Sequence, residues 1–186
     1  MQLVTPSREH LDSFVAALRQ GWSPSTEHDV SGEVLAEIEA DADAFLAGAD
    51  DRDPQGRTVT LPDGSVVPRI PSFVRWMWDG EFCGSINARW QHGTVALPPT
   101  CLGHIGYSVV PWKQRRGYGT KALALILDEV RLETDLPYVE ITTDPDNLGS
   151  QRVIEANGGV LVERFDKGSA YGHGEGLRYT IALDPT

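Results

Sequence analysis

Apolar side chains recur at helical intervals near the start of the chain. Leu11, Phe14 and Leu18 lie three or four positions apart and predict a first helix that Thr5 would cap. A second helix is predicted over residues 33–46, where apolar positions form one face and acidic residues form the other. The polar sequence "GADDRDPQ" that follows predicts a loop.

Strand-forming sequences occupy the middle of the chain. "TVTLPDGSVVP" predicts a small hairpin that turns at Pro-Asp-Gly, so residues 47–69 are interpreted as a loop and hairpin insertion. "FVRWMWDGEFCGSINARW" predicts two strands joined at Asp79-Gly80, because Asp-Gly between β-rich sequences is typical of a tight hairpin. "LGHIGYSVV" predicts a third strand that stops before Pro111.

Helices and strands alternate in the last third. A helix is predicted over residues 117–133, the strand "YVEITTD" follows, and a shorter helix over residues 147–156 precedes the strands "VLVERF" and "LRYTIAL". This order predicts one domain, residues 1–186, of the α/β (α+β) class. Its sheet would be mixed and mostly antiparallel, with about six to seven strands flanked by helices.

A formal net charge of −11 narrows the range of partners. An acidic surface repels phosphodiester backbones, so nucleic acid is not expected as a partner. Cys83 and Cys101 lack the spacing of a zinc site or a disulfide framework, and no metal is expected. The first residues do not read as a signal peptide, and no apolar run reaches the ~18 residues of a membrane span. A cytoplasmic protein without a membrane partner is therefore expected.

The stretch "KQRRGYGTK", residues 113–121, contrasts with this acidic composition. It joins a strand that ends at Val110 to a helix that begins near Gly117, where the first main-chain N–H groups have no partner within the helix. Glycines leave such amides open to a phosphate oxygen. Four basic side chains add positive charge: Lys113, Arg115, Arg116 and Lys121. The stretch predicts a site for a phosphorylated ligand.

Two common phosphate-binding patterns fit this turn poorly. A Walker loop requires Gly-Lys before Ser or Thr, whereas Thr120 here precedes Lys121. A dinucleotide fingerprint requires three glycines, and Gly117 and Gly119 supply two. A nucleotide-binding protein therefore remains an alternative rather than the main interpretation.

The pattern Q-x-x-G-x-G does fit, as "QRRGYG" over residues 114–119. With its flanks, "YVEITTD" and "NLGSQRVIEANGG", it resembles the acetyl-CoA-binding segment of the GCN5-related N-acetyltransferase (GNAT) superfamily. The resemblance is clearest over about residues 70–165. It implies a single domain with a splayed sheet and acetyl-CoA (coenzyme A) in the V between the strands that end at Val110 and begin at Tyr138.

The resemblance also assigns cofactor contacts. Backbone groups near Val109 and Val110 would pair with the pantetheine arm, and Asn147 and Ser150 would touch its far side. The pyrophosphate would lie on the turn formed by Gln114, Arg115, Arg116, Gly117, Tyr118, Gly119 and Thr120. Plain helix capping remains an alternative role for Asn147 and Ser150.

Acetyl transfer to an amine requires a neutral nucleophile, so a general base is useful. His104 and Glu140 are the candidates, because both are expected on the strands that line the cofactor cleft. A strand-edge N–H near Val110 would stabilise the oxyanion. The leaving thiolate can take a proton from a general acid, and many family members carry a tyrosine at the position that is Ile154 here. Three other tyrosines of this chain are candidates for that role: Tyr107, Tyr171 and Tyr179.

The expected function is acetyl-CoA-dependent N-acetyltransfer to a primary amine of a small molecule or peptide. The acceptor would bind among the N-terminal helices, the hairpin and the last strands, and an acidic protein would steer a cationic amine towards it. The sequence does not fix the oligomeric state, and a homodimer is one possibility, since dimers are common in similar proteins. A non-catalytic acyl-CoA-binding sensor on the same fold is the first alternative, favoured slightly by Ile154.

Overall fold

The computed structural model describes residues 1–25 and 28–183. Ten strands lie within these residues: β1 (Gln2–Val4), β2 (Asp50–Asp51), β3 (Thr58–Thr60), β4 (Val66–Pro68), β5 (Ser72–Trp78), β6 (Phe82–Arg89), β7 (Ile105–Val109), β8 (Tyr138–Thr143), β9 (Val160–Asp166) and β10 (Glu175–Ala182). Four α-helices accompany them: α1 (Arg8–Arg19), α2 (Ser31–Ala47), α3 (Tyr118–Glu133) and α4 (Leu148–Glu155). The mixed architecture confirms the predicted fold class.

The strands form two main sheets that part in the middle of the domain. The first has the order β1-β5-β6-β7 with β2 paired to β5, and the second has the order β8-β10-β9. All pairs within these sheets are antiparallel. The hairpin β3–β4 forms a two-stranded sheet of its own. The predicted splayed sheet is therefore present, with β7 and β8 at the split.

Apolar residues fill both faces of the first sheet. On one face, Leu123, Ile126 and Leu127 of α3 pack with buried residues of both sheets, such as Phe73 and Ile141. On the other face, residues of α1 and α2 cover a cluster of aromatic rings. That cluster contains Phe14, Trp22, Trp76 and Phe82, whose ring centroids lie 4.5–5.8 Å apart. The two cores hold the sheet rigidly behind the cleft at the split.

The start of the chain differs from the sequence-based prediction. Helix α1 begins at Arg8 with Ser7 at its N-cap position, so the assignment of Thr5 as the cap is wrong. The preceding residues instead form β1, which pairs with β5 and places Leu3 opposite Met77. A three-residue strand carries too short an alternation to be recognised from sequence.

Helix α2 covers the predicted range but bends inside it. Asp41 has extended dihedrals, φ −159° and ψ 94°, in the middle of the helix. Its carboxylate accepts hydrogen bonds from the N–H groups of Asp43 and Ala44, both at 3.0 Å. Asp41 therefore caps the second half of α2 as an internal N-cap. The bend separates the two halves of the helix above the sheet.

Candidate active site

A cleft of about 460 Å³ opens between the end of β7, the turn before α3 and the start of α4. We call it the β7–α4 cleft. Nine of the predicted cofactor residues line it: Val109, Gln114, Arg115, Gly117, Tyr118, Gly119, Thr120, Asn147 and Ser150. The fold thus brings together two segments about thirty residues apart in sequence. Val110 and Arg116 fall outside the lining, the first buried and the second exposed.

The turn before α3 presents main-chain amides to this cleft. Gly117 occupies the left-handed region, φ 76°, at the N-cap of α3, and Arg115 adopts φ 59°. Because the first helical hydrogen bond runs from the Lys121 N–H to the Gly117 carbonyl, the N–H groups of Tyr118 to Thr120 precede the helical ladder. Open amides, the helix dipole and exposed Arg115 suit a diphosphate. The residues present therefore fit the pyrophosphate of coenzyme A.

The β7 edge facing the split offers backbone groups for an extended ligand. Arg89 N–H donates to the His104 carbonyl at 2.9 Å, and Val110 N–H donates to the Cys83 carbonyl at 3.0 Å. Even-numbered positions of β7 therefore bond to β6. By the alternation of antiparallel pairing, the amides of Tyr107 and Val109 point to the open side.

This geometry specifies which N–H near Val110 is available to an oxyanion. The Val110 amide is engaged by Cys83, and the Val110 carbonyl accepts from the Lys113 N–H at 3.0 Å. Since both backbone groups of Val110 are occupied, the donor near the end of the strand is the Val109 amide. Its position directly precedes the phosphate turn.

One carboxylate fastens both ends of that turn. Asp79, in the β5–β6 hairpin, accepts from Lys113 Nζ at 2.6 Å through Oδ1 and from the Tyr118 hydroxyl at 2.6 Å through Oδ2. Lys113 also pairs with Glu81 at 2.7 Å. Burial alone would raise the pKa of Asp79, but the hydrogen bonds from Lys113 and Tyr118 hold it well below its ordinary value.

The same contacts change the expected role of Lys113. Lys113 borders the cleft, but the residue is only 4% exposed and its ammonium is neutralised by two carboxylates. The positive field of the turn therefore comes from its exposed cations: Arg115, Arg116 and Lys121. Lys113 serves as an anchor for the turn.

The start of α4 supplies a hydroxyl pair at the inner end of the cleft. The Asn147 side chain accepts from the Ser150 N–H at 3.0 Å, which is an N-cap bond. The Ser150 Oγ lies 2.8 Å from the Tyr107 hydroxyl. Burial raises the pKa of Tyr107 to about 12. Ile154, by contrast, is fully buried in the core.

His104 lies where the two sheets meet. Its N–H donates to the Glu140 carbonyl at 2.7 Å, and its ring Nδ1 accepts from the Glu140 N–H at 2.9 Å. The residue is 1% exposed, and burial lowers its pKa below the ordinary value. The Glu140 carboxylate pairs with Arg178 at 2.5 Å. The structure thus brings the two predicted bases together at the closed end of the split.

Two further pockets flank Val74 on the face of the first sheet that α1 and α2 cover. The helix pocket, about 540 Å³, is bordered by α2 and includes Glu37, Asp41 and Ser85. The hairpin pocket, about 280 Å³, lies under β3–β4 and includes Asn87 and Arg89. Strand pairing sets Ser85 opposite Ser108, which lines the β7–α4 cleft, so the helix pocket and that cleft meet across two paired strands.

The other tyrosines considered as acids lie elsewhere. Tyr171 lines the hairpin pocket and donates to the Thr100 carbonyl at 2.8 Å. Tyr179 is buried beside Glu155. Sequence reasoning missed the Asp79 anchor, because the sequence of a turn does not show which side chains its aspartate will contact.

Among the described residues, there is no group of three or more His, Cys, Asp or Glu side chains that could hold a metal ion. Within the same residues, no helix combines the length and apolar character of a membrane span.

A comparison with known protein families agrees with the fold and with the geometry of the cleft. The sequence profile described as "Acetyltransferase (GNAT) domain" matches residues 1–160. None of the curated protein sequences compared matches the chain significantly.

Solved structures share the fold at low sequence identity. RimJ of Mycobacterium smegmatis, in complex with CoA-disulfide, is 18% identical with a TM-score of 0.66, covering 97% of this chain and 80% of its own. RimL, a ribosomal L7/L12 alpha-N-protein acetyltransferase in complex with coenzyme A, is 14% identical with a TM-score of 0.65, covering 97% and 92%. The Microcin C7 self immunity acetyltransferase MccE, in complex with acetyl-CoA and AMP, is 12% identical with a TM-score of 0.63, covering 97% and 91%.

The Asp79 anchor leads to a prediction about the phosphate turn. Asp79→Asn keeps the shape of the side chain but removes the charge that holds Lys113 and Tyr118. We expect the free energy of unfolding at pH 7 to fall by about 1–3 kcal/mol, the usual range for hydrogen bonds to a charged group. Coenzyme A should bind about tenfold more weakly to a loosened turn. Urea denaturation and calorimetry measure the two effects.

The difference in unfolding free energy between wild type and Asp79→Asn should also depend on pH. A carboxyl whose folded pKa is depressed stabilises the protein above its unfolded pKa of about 3.9 and loses that contribution as the pH falls. The gap between wild type and Asp79→Asn should therefore shrink below about pH 4. Asp12→Asn, at an exposed position, is the control and should change neither quantity. Equal stability of Asp79→Asn and wild type at neutral pH would contradict the anchor.

Proposed function

The chain belongs to the GNAT acetyltransferase family, and from this premise we propose that it transfers the acetyl group of acetyl-CoA to a primary amine of a small molecule or peptide. The observation that carries the proposal is the meeting of the β7–α4 cleft with the helix pocket at the paired residues Ser85 and Ser108. A donor in one and an acceptor in the other would approach each other across that pair.

Acetyl-CoA supplies an activated thioester when bound. The amides of Tyr118, Gly119 and Thr120 would hold its pyrophosphate, with Arg115 adding charge. The open edge of β7 would bind the pantetheine arm as an added strand. The Val109 N–H would then donate to the carbonyl oxygen where negative charge develops during transfer.

The hydroxyl pair of Tyr107 and Ser150 would stabilise the departing sulfur. With a pKa of about 12, Tyr107 stays protonated at neutral pH and is a weak acid towards a thiolate. It therefore acts as a hydrogen-bond donor, and Ser150, 2.8 Å away, orients or relays that hydrogen bond. The Tyr107–Ser150 pair would take the role of the family's tyrosine on α4, because Ile154 occupies that position in this chain.

The base remains a prediction, with His104 and Glu140 as its candidates. A low pKa keeps the His104 ring neutral at pH 7, as a base requires. However, the basic nitrogen of the neutral ring, Nδ1, already accepts the Glu140 N–H, so its lone pair is occupied. Nε2 then carries the ring hydrogen, and that atom is buried without a hydrogen-bond partner among the described residues. These contacts favour His104 as the joint between the two sheets.

Thiol release from acetyl-CoA across a panel of primary amines tests the function. We expect free thiol to appear in proportion to the acetylated amine with at least one member of the panel. Binding of coenzyme A without thiol release from any amine would instead support the non-catalytic sensor. ATP competing with coenzyme A at comparable affinity would support the nucleotide-binding alternative.

Removing the hydroxyl of Ser150 tests the stabilisation of the sulfur. We expect Ser150→Ala to lower kcat about tenfold, because a hydrogen bond to a charged group contributes roughly 1.5–3 kcal/mol and Tyr107 remains in place. The double variant with Tyr107→Phe should lose more than either single variant. Calorimetry with coenzyme A controls for binding. Unchanged kcat in the double variant would eliminate the hydroxyl pair.

His104→Ala separates the two roles of the histidine. A general base would lower kcat at saturating amine by about tenfold or more with the melting temperature unchanged. A structural joint would lower the melting temperature by several degrees, because the buried Glu140 N–H loses its acceptor, at a cost of about 1–3 kcal/mol. From the burial of His104 we expect the second result. A stable variant with a tenfold lower kcat would restore the base assignment.

A further inference from the structure

One half-buried cation on this face of the first sheet has no counter-charge among the described residues. Arg89, at the end of β6, lines the hairpin pocket, and its side chain forms no ion pair with any carboxylate among the described residues. Its Nε atom is buried and has no hydrogen-bond partner in the part of the chain that the structure describes. A guanidinium is always charged, and leaving a buried donor unpaired is unfavourable. An anionic ligand bound in this pocket would therefore supply the partner that the Arg89 guanidinium lacks.

The surrounding residues shape a receptor around this guanidinium. Arg89 NH2 donates to the Asn87 side-chain oxygen at 3.0 Å, which leaves the Asn87 amide NH2 as a second donor in the same pocket. The facing residue on β7 is Gly106, where an added Cβ would lie 2.9 Å from the guanidinium. The missing side chain makes room for Arg89 above the sheet.

Arg69, also in the hairpin pocket, shows what a compensated arginine looks like. Its Nε pairs with Asp51 at 3.2 Å, and its guanidinium donates to the Gly48 carbonyl at 3.0 Å. Arg57 pairs with the same carboxylate at 3.0 Å. Of the two arginines that line the hairpin pocket, Arg69 and Arg89, Arg89 is therefore the one without an ion pair among the described residues.

The neighbouring helix pocket contains charges of both signs, since Arg57 and Arg69 line it as well as two carboxylates. Glu37 and Asp41 line it and form no ion pair among the described residues. Ser85, Asn87 and Arg89 follow each other at alternate positions on one face of β6. Because two residues of a strand span about 7 Å, the Arg89–Asn87 receptor begins about that far from Ser85, where the acceptor amine would react.

We propose that the acceptor carries an oxyanion, a carboxylate or a phosphate, separated from its amine by about 7 Å, and that Arg89 with Asn87 binds this group under the hairpin. The proposal rests on the proposed acetyl transfer and defines its substrate class as zwitterionic. The sequence predicts a cationic amine, and the proposal adds a negatively charged group to the same acceptor. Arg89 acts as a specificity-determining residue, and the hairpin β3–β4 covers the bound anion.

Matched acceptors test the inference. Dipeptides and δ-aminovalerate are compared with their carboxamides and with the corresponding aminophosphonate, by kcat/KM from thiol release. We expect an anionic acceptor to exceed its carboxamide by about tenfold or more, since the neutral group leaves Arg89 unpaired. Preference for the carboxylate or the phosphonate identifies the oxyanion. Equal values for acid and amide would overturn the inference while leaving the transferase intact.

Variants assign the effect to Arg89. Arg89→Gln should bring the acid-to-amide ratio to about one. Its melting temperature should fall by only about 2–4 °C, because the guanidinium loses one hydrogen bond to Asn87 but no ion pair. Arg89→Lys should restore part of the preference. Arg69→Gln is the matched control in the same pocket, and it should lower stability but keep the ratio. A ratio that follows Arg69 instead of Arg89 would contradict the assignment.

Equilibrium binding separates failure of the inference from failure of the function. Calorimetry of the same acid and amide pairs on protein saturated with coenzyme A does not depend on turnover. Acid-selective binding that Arg89→Gln abolishes supports the receptor even if no thiol is released, in which case the proposed transfer fails alone. Absence of acid-selective binding in the wild type overturns the inference.

Discussion

The structure depends on the parting of β7 from β8. The two strands are held together at one end, where the ring and backbone of His104 bond to Glu140. A side chain at Gly103 would bring a Cβ within 3.0 Å of the Glu140 carbonyl, so the chains touch there at backbone distance. Beyond this joint they diverge, and the amides of Tyr107 and Val109 face a gap instead of a neighbouring strand. That divergence leaves an unpaired strand edge, to which an extended ligand can add.

Much of this could be predicted from the sequence. The helix α3, the strands β5 to β10 and the glycine turn carry strong local patterns, because one face of each element is apolar or its turn residues are specific. The two short strands β1 and β2 and the internal cap at Asp41 carry almost none. Tertiary pairing, not local preference, creates them.

The electrostatics of the site were harder to read than its backbone. Lys113 looks like Arg115 in the sequence, yet one cation is buried against Asp79 and Glu81 and the other is exposed at the cleft. Likewise Arg69 and Arg89 differ in partners, not in type. A sequence shows which residues carry charge, but the fold decides which charges are cancelled. The charges that remain without an ion pair are the ones available to bind a ligand.

The hairpin β3–β4 pairs with itself in a separate two-stranded sheet, while the residues of the β7–α4 cleft belong to β7, α3, α4 and the segments that join them. Its length and tip could change without shifting the register of β5, β6 or β7. Descendants of this sequence could thus exchange one acceptor for another through a short, self-contained segment. Diversification of what is acetylated would then proceed independently of how the acetyl group is delivered.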